Sequence, residues 1–600
     1  MDSTYEYTPL NDTKRHIRLL HLQPSDKINP GQNLSGSERD PIICTFSVAS
    51  LDDNPSYEAL SYVLGNADNT ASIVLEGHEF LVNSSLESIL RHVRKDRERV
   101  LWVDALCIDQ ANLNERSHQV LEMHRIYSQA WCVIAFLGET WKGCDSAINL
   151  VDFIASHPDT HWDSASEQSI NSHEFDVHSL PLFDSIIRLL ASPWWSRVWT
   201  VQEFVLAQRV VFMCGHHEVK SDVLVGFAIY CDYHHVLCCP ELFKLLSEYT
   251  GSMKISKVLD NALGTWQIAK REGKEHDLLS IINMLKLRNC LDPLDKIYGM
   301  LGMASDSFRT SILVDYNCSL NEVYMNTTLV ASKTNLDFLS FPYEPLHRNM
   351  ETPTWVPNFP ASDDEGEDSL FSVRVASVRF LFRASQDTQP HFAKYESVDA
   401  VTSAIVLDSI SIIDFTATKT SGSEPNVQRQ AVDALKNLLD GYDSSSGPYK
   451  SKSEVLWRTL CGGTRGNFDS ESWCRPLLHE DDATFKKWSA WFPLSDPHVL
   501  QQQDVEVLDF DFAIRMTTIG RRCAVTCKGY IGWIPAKARK GDVVVLIPGG
   551  NVPYILRQVH QKSSPLDTVR RYEFVGDAYI HGIMHGEAYD GTKLEPIILV

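Results

Sequence analysis

Residues 101–138, LWVDALCIDQANLNERSHQVLEMHRIYSQAWCVIAFLG, carry two kinds of apolar spacing. LWVDALCI is a continuous apolar run of strand length, broken only by Asp104, the pattern of a strand buried on both faces. The residues that follow are polar as far as Glu115, and Asn112, Asn114 and Glu115 suit a loop and a helix start. Val120, Met123, Ile126, Tyr127 and Ala130 then recur at helical spacing along one stripe. Residues 131–137 return to a buried-strand pattern. Strand, crossover helix and strand form a βαβ unit, so two parallel strands joined by a right-handed crossover are predicted. Ligands of such sheets bind beyond the carboxyl ends of the strands, which marks the loop at 109–116 as the working edge.

The same reading extends along the chain. Residues 16–24 and 42–51 are predicted to pair as strands, and 57–65 (YEALSYVLG) reads as a strand ending in Ser61, Tyr62 and Gly65. Within 73–82, Glu76-Gly77 suits a tight hairpin turn. Asn83 or Ser84 is placed to cap a helix whose Leu86, Ile89, Leu90 and Val93 share one face. A polar tract at 156–179 reads as an insertion loop, and 181–215 as helix, break at Ser192-Pro193, helix and strand. Residues 224–268, 276–304 and 314–332 are helical in pattern, with Ser319 a cap for the last. ASDDEGED (361–368) is an acidic boundary, 370–407 suggests short strands, and 431–439 is one helical patch in a polar stretch. The last hundred residues are β-rich, punctuated by Gly529, Gly549, Gly550 and Gly576, as in a small antiparallel barrel or a packed sheet. Four regions follow: a strand-paired extension (1–56), an α/β domain (57–215), a helical region (216–360) and a β-rich region (361–600).

Composition narrows the function classes. Six hundred residues with 44% apolar content are enough for two or three packed cores. A net charge of −23, from 55 basic and 78 acidic residues, argues against nonspecific binding to nucleic acid or anionic membrane. The first twenty residues have no signal-peptide pattern and nothing approaches a membrane helix, so a cytoplasmic chain with reduced, mostly buried cysteines is expected.

Residues 57–65, 101–138, 193–207 (PWWSRVWTVQEFVLA) and 292–304 (DPLDKIYGMLGMA) occur in one order, and together they resemble the fungal heterokaryon-incompatibility (HET) domain family. Residues 520–535, 541–550 and 572–588 resemble the tail of its longer members. Leu64 stands where the family commonly has tryptophan. The resemblance implies a role in recognition of non-self after fungal cell fusion and in the cell death that follows. More distantly the domain resembles the TIR signalling domain: a first strand ends in a Ser-containing turn, a second bears Asp, and a helix carries Trp199-x-x-x-Glu203. That likeness implies a TIR-like, flavodoxin-like, mostly parallel sheet, and NAD as a substrate cleaved between nicotinamide and ribose with no cofactor.

Candidate chemistry follows from both sources. Glu203, four residues after Trp199, would share a helix face with it, and Trp194, Trp195 and Val198 read as the apolar wall beside it. A positioned carboxylate there can stabilise an oxocarbenium-like transition state; an ion pair with Arg197 or Arg209 is the structural alternative. Asp109 joins it as the second candidate catalytic carboxylate. Ser61, Tyr62, Gly65, Asp104, Arg116 and Trp199 are the candidate substrate contacts, against a buried network at Asp104, an ion pair to Arg116 and a glycine-demanding turn at Gly65. Neither G-x-G-x-x-G nor a P-loop is present, so NAD would bind as a substrate in another geometry. Cys231, His234, His235 and Cys238, with Cys239, Cys214, His216 and His217 nearby, are metal-ligand types, but the segment reads as a half-buried helix and no metal is expected. The rival to an enzyme is an adaptor that self-associates or docks on a protein partner, with the C-terminal half as sensor.

Overall fold

The computed structural model describes residues 5–11, 14–25, 40–65, 68–162, 169–170, 180–237, 239, 278–285, 288–340, 352–357, 381–396, 398–416, 425–442, 447–466, 474–491, 505–518, 520–559 and 569–600. The chain forms two compact units, Met1–Cys318 and Ser319–Val600. The expected helical region is therefore divided between them. The acidic boundary at 361–368 lies outside the described residues, as do most of the insertion loop and of the helical stretch at 224–268.

The first unit is built on a nine-stranded sheet. Its strands are β1 (His16–Leu22), β2 (Ile43–Ser50), β3 (Glu58–Ser61), β4 (Thr70–Leu75), β5 (His78–Asn83), β6 (Arg99–Trp102), β7 (Cys132–Gly138), β8 (Val210–Cys214) and β9 (His217–Lys220). Their order is β5-β4-β2-β1-β6-β3-β7-β8-β9. The four central strands β6, β3, β7 and β8 run parallel. Read in chain order they stand 2-1-3-4, the order of a doubly wound sheet whose ligand crevice opens where the order reverses, here between β3 and β7. The sheet as a whole is mixed: β1 joins antiparallel to β6, with Leu20 opposite Leu101, and β9 closes the other edge antiparallel to β8. The strand-paired extension is thus part of the same sheet. The predicted parallel βαβ unit forms, but β3 inserts between its two strands and pairs in parallel with both.

Helices α1 (Ser84–Val93), α2 (Asp104–Cys107), α3 (Leu113–Gln129), α4 (Cys144–Ser156), α5 (Leu180–Leu190), α6 (Thr200–Val205) and α7 (Ser221–Leu237) join these strands, and α8 (Leu278–Met284) and α9 (Asp295–Leu301) follow. Local expectations held at several points. Asn83 caps α1 by accepting from Ser85 N at 2.9 Å, and Leu86, Ile89, Leu90 and Val93 are its buried face. Glu76 and Gly77 both take positive φ in the β4–β5 turn. LWVDALCI is not one strand: β6 ends at Trp102, and Asp104 opens the one-turn α2 with its carboxylate accepting Ala105 N. The acid stays half-buried, which avoids the cost of enclosing it in the sheet.

Charged residues inside this unit are paired. Arg18 on β1, 1% exposed, meets Glu115 of α3 in a two-pronged ion pair at 2.5 and 3.0 Å and also donates to the Cys107 and Thr8 carbonyls. Glu115 in turn accepts Asp109 N at 2.8 Å, which ties down the loop at 109–112. Arg99 and Glu58 form a second two-pronged pair, both contacts 2.6 Å, between β6 and β3.

The second unit is β-rich but carries more helix than its pattern predicts. Its strands are β10 (Phe392–Tyr395), β11 (Asp399–Thr416), the short pair β12 (Thr464–Gly466) and β13 (Cys474–Pro476), then β14 (Arg521–Thr526), β15 (Ile531–Pro535), β16 (Val543–Leu546), β17 (Tyr554–Gln558), β18 (Arg570–Asp577), β19 (Tyr579–Ile580) and β20 (Glu595–Leu599). β11, β16, β17, β18 and β20 close on themselves as a barrel, because the long β11 pairs with both β16 and β20. β18 and β20 pair in parallel, so the barrel is mixed rather than antiparallel. Helices at Lys452–Leu460, Asp481–Trp491 and Val505–Thr518 were not predicted beside the expected one, now Pro425–Asp440. Ser319 caps Leu320–Ala331 in a capping box with Glu322. Among the described residues no helix is long and apolar enough to cross a membrane, and most of the cysteines are buried.

Removing one member of a buried pair leaves the other uncompensated. Glu115→Ala is expected to cost about 3–5 kcal/mol in urea unfolding, whereas Arg18→Met with Glu115→Leu together should cost far less. Equal losses in the two proteins would refute the pairing as the source.

Candidate functional site

Ser61 ends β3 at the reversal of the central strand order. Its hydroxyl donates to the Glu203 carboxylate and accepts Trp194 Nε1–H at 2.7 Å. Glu203 comes from α6, 5% exposed, and Trp194 from a short 3-10 segment, Pro193–Ser196. That segment is separate from α6, so the expected single helix over 194–203 is two pieces; Pro193 and the Ser192 cap start the first, and Thr200 starts the second. Ser192 Oγ also donates to the Leu137 carbonyl at the end of β7 at 2.6 Å. The 193–205 segment therefore bridges the ends of β3 and β7, the position at which a doubly wound sheet receives its ligand.

The surroundings of Glu203 are apolar and aromatic. Trp194 stands edge-on to Trp195 and Phe212, with centroids 4.9 and 5.3 Å apart. Val198 and Val201 are fully buried. Burial pushes the Glu203 carboxyl up to about 7; the Ser61 hydrogen bond and the Arg197 charge oppose this, and the Asp104 carboxylate adds to it. Arg197 donates to the Tyr62 carbonyl at 2.5 Å. Burial first, and then the charge of Asp104, drives the Tyr62 phenol well above its usual range. Tyr127, also enclosed, donates to the Leu60 carbonyl at 3.5 Å beside this group. Ser61, Tyr62, Asp104 and Glu203 are thus brought together, as the sequence suggests.

Comparison with known proteins bears on this arrangement. The family model described as "Heterokaryon incompatibility protein (HET)" matches residues 57–203, from Tyr57 just before β3 to Glu203 itself. A second model, "Het-6 beta-barrel domain", matches residues 500–600. Heterokaryon incompatibility protein 6, OR allele, of Neurospora crassa is 24% identical across 100% of this chain and 98% of its own length. The chain carries a HET domain and a Het-6 barrel domain. No solved structure matches it.

The remaining candidates of this HET protein fall elsewhere. Trp199 and Glu203 sit one turn apart, yet their polar atoms take different partners: Trp199 Nε1 donates to Asp295 at 3.0 Å. Asp295, buried and held above the usual carboxylate range chiefly by burial, also accepts from Tyr316 at 2.9 Å. Arg116 stacks over the Tyr316 ring at 3.8 Å, so Arg116 and Trp199 belong to a second cluster around Asp295. Asp109 accepts Ala111 N at 3.1 Å and shapes its own loop. Gly65 has no left-handed backbone; a Cβ there would run into the Ser85 hydroxyl at the start of α1, so close approach and not turn geometry is what the glycine meets. Trp194 and Arg197 entered the sequence reading as the apolar wall and the alternative ion-pair partner of Glu203, and both stand beside it; Tyr127 entered only as part of the α3 stripe. Arg18 left one usable signal, a charge interrupting the apolar strand HIRLLHL.

Glu203 keeps its proton to about 7 in the folded protein but releases it near 4.5 when unfolded. Between those values the native state binds more protons, so its stability falls as pH rises through the window. Relative to Glu203→Gln, which mimics the protonated acid, the wild type is expected to lose about 3 kcal/mol across it, read from urea unfolding at a series of pH values. A difference that stays flat would show that the buried acid titrates normally.

Proposed function

We propose that this HET protein acts in heterokaryon incompatibility, and that its first unit works as a signalling module that self-associates or docks on a partner. The observation carrying this reading is the closure around Glu203. Its carboxylate is enclosed at 5% exposure, engaged by Ser61, and roofed by Trp194 and the bridge from Ser192 to β7. In this arrangement the carboxylate ties β3 to α6 and offers no face to a substrate. A small cavity lies in the second unit, lined by Phe382, Thr464, Met516 and Tyr579.

One observation favours a second reading, cleavage of NAD to nicotinamide and ADP-ribose products in the manner of TIR domains. An acid held near neutral beside a second carboxyl, Asp104, at the strand-order reversal is the kind of group that active sites keep. Glu203 would then stabilise the oxocarbenium-like ribose once the Trp194–Ser61 roof opened.

Glu203→Gln separates the two, because it preserves the hydrogen bond to Ser61 while removing the charge. Purified wild-type protein, concentrated enough to self-associate, is expected to release no nicotinamide from NAD, and the Gln variant is expected to retain the incompatibility reaction when expressed in a fungal host. Nicotinamide release by wild type that the Gln variant lacks would overturn the adaptor reading and establish the enzymatic one.

A further inference from the structure

Away from the Glu203 cluster, His161, His234 and Cys239 converge. Their ligand atoms all lie within 4.8 Å of one another. His234 is on α7, Cys239 lies two residues beyond its end, and His161 itself forms a β-bridge with Ser169. Cys239 Sγ stands 3.6 Å from His161 Nδ1 and 3.6 Å from His234 Nδ1. A tetrahedral zinc ion with Zn–S of about 2.3 Å and Zn–N of about 2.0–2.1 Å sets a sulfur-to-nitrogen edge of about 3.6 Å. Both edges of the trio have that length.

The supporting contacts are those of a ligand set. His234 Nε2 lies 3.0 Å from the Pro158 carbonyl, an acceptor only, so this nitrogen carries the proton and Nδ1 presents its lone pair toward the sulfur. Tyr230 stacks on the His234 ring at 4.2 Å and fixes its plane. The Trp162 backbone N–H donates to Cys239 Sγ at 3.4 Å, as expected of a partner to a thiolate. Cys239 and Trp162 are fully enclosed and His234 nearly so. Cys239 Sγ faces both imidazole nitrogens at one distance, the disposition that a shared cation produces.

We propose that His161, His234 and Cys239 supply three corners of a tetrahedral zinc site, pinning the loop at 157–162 to the end of α7. The sequence reading expected no metal, although the set it weighed already held His234 and Cys239. Of that set Cys238 and the side chain of His235 lie outside the described residues, and Cys231, though buried on α7, is not one of the three converging groups. His161 was hidden because it is about seventy residues upstream.

The full chain, expressed with zinc and dialysed against metal-free buffer, is expected to retain about one zinc per chain by elemental mass spectrometry. Chelation should lower its melting temperature and added zinc should restore it. Cobalt reconstitution should give a thiolate-to-cobalt charge-transfer band and tetrahedral d–d bands. Cys239→Ser and His234→Gln should each lower metal content roughly tenfold or more, whereas Cys231→Ser keeps it. If the wild type, folded by circular dichroism, takes up neither zinc nor cobalt, the trio is a thiol–imidazole hydrogen-bond cluster and the proposal fails. It fails equally if Cys239→Ser retains full metal and the cobalt band.

Discussion

A carboxylate enclosed by tryptophan and valine at the end of a central strand must be hydrogen-bonded, or it destabilises the fold by several kcal/mol. At Glu203 the requirement is met by Ser61, whose own oxygen is occupied by the Trp194 indole. Two stretches far apart in the chain are thereby held at one point: the end of β3 and the 193–205 segment, with its turn and α6. The same constraint recurs at Glu58 with Arg99 and at Glu115 with Arg18. In each case a buried acid decides which elements can approach, and removing its partner would leave a polar group with no water to receive it.

This constraint also shapes the functional reading. In a doubly wound sheet the reversal of strand order leaves a crevice, and here that place is filled by the Ser61–Glu203–Trp194 chain. Filling it gives stability to the four-stranded centre and withholds the acid from solvent. The desolvation that stabilises the neutral form of Glu203 is the same property that would suit an acid awaiting a substrate, which is why closure and chemistry point in different directions from one set of contacts. The second cluster, Trp199, Asp295, Tyr316 and Arg116, repeats the motif of a buried acid satisfied by aromatic donors.

The second unit solves its burial problem by closure instead. β11, at 18 residues, reaches β14 along one stretch and β16 and β20 along another, so the barrel lacks a free edge at that seam. This strand lies about a hundred residues upstream of the segment matched by the barrel family model. The polar residues between them fold as helices whose buried faces, such as Val455, Trp457 and Leu460, are interrupted often enough to weaken the periodic signal.

What the amino-acid order determined by itself was local. Periodicity placed β3, α1, α3 and β7, Glu76-Gly77 set the hairpin, Asn83 and Ser319 capped their helices, and the block order identified the HET family. It also drew Ser61, Tyr62, Asp104 and Glu203 to one sheet edge, because strand ends and parallel crossovers follow from short-range pattern. Tertiary structure alone decided that β3 would insert between β6 and β7, that Arg18 would reach Glu115, that Trp199 would turn to Asp295, and that His161 would meet Cys239. Those choices rest on long-range pairing of buried polar groups, which has no period in the sequence and is settled only when desolvation forces each group to find its partner.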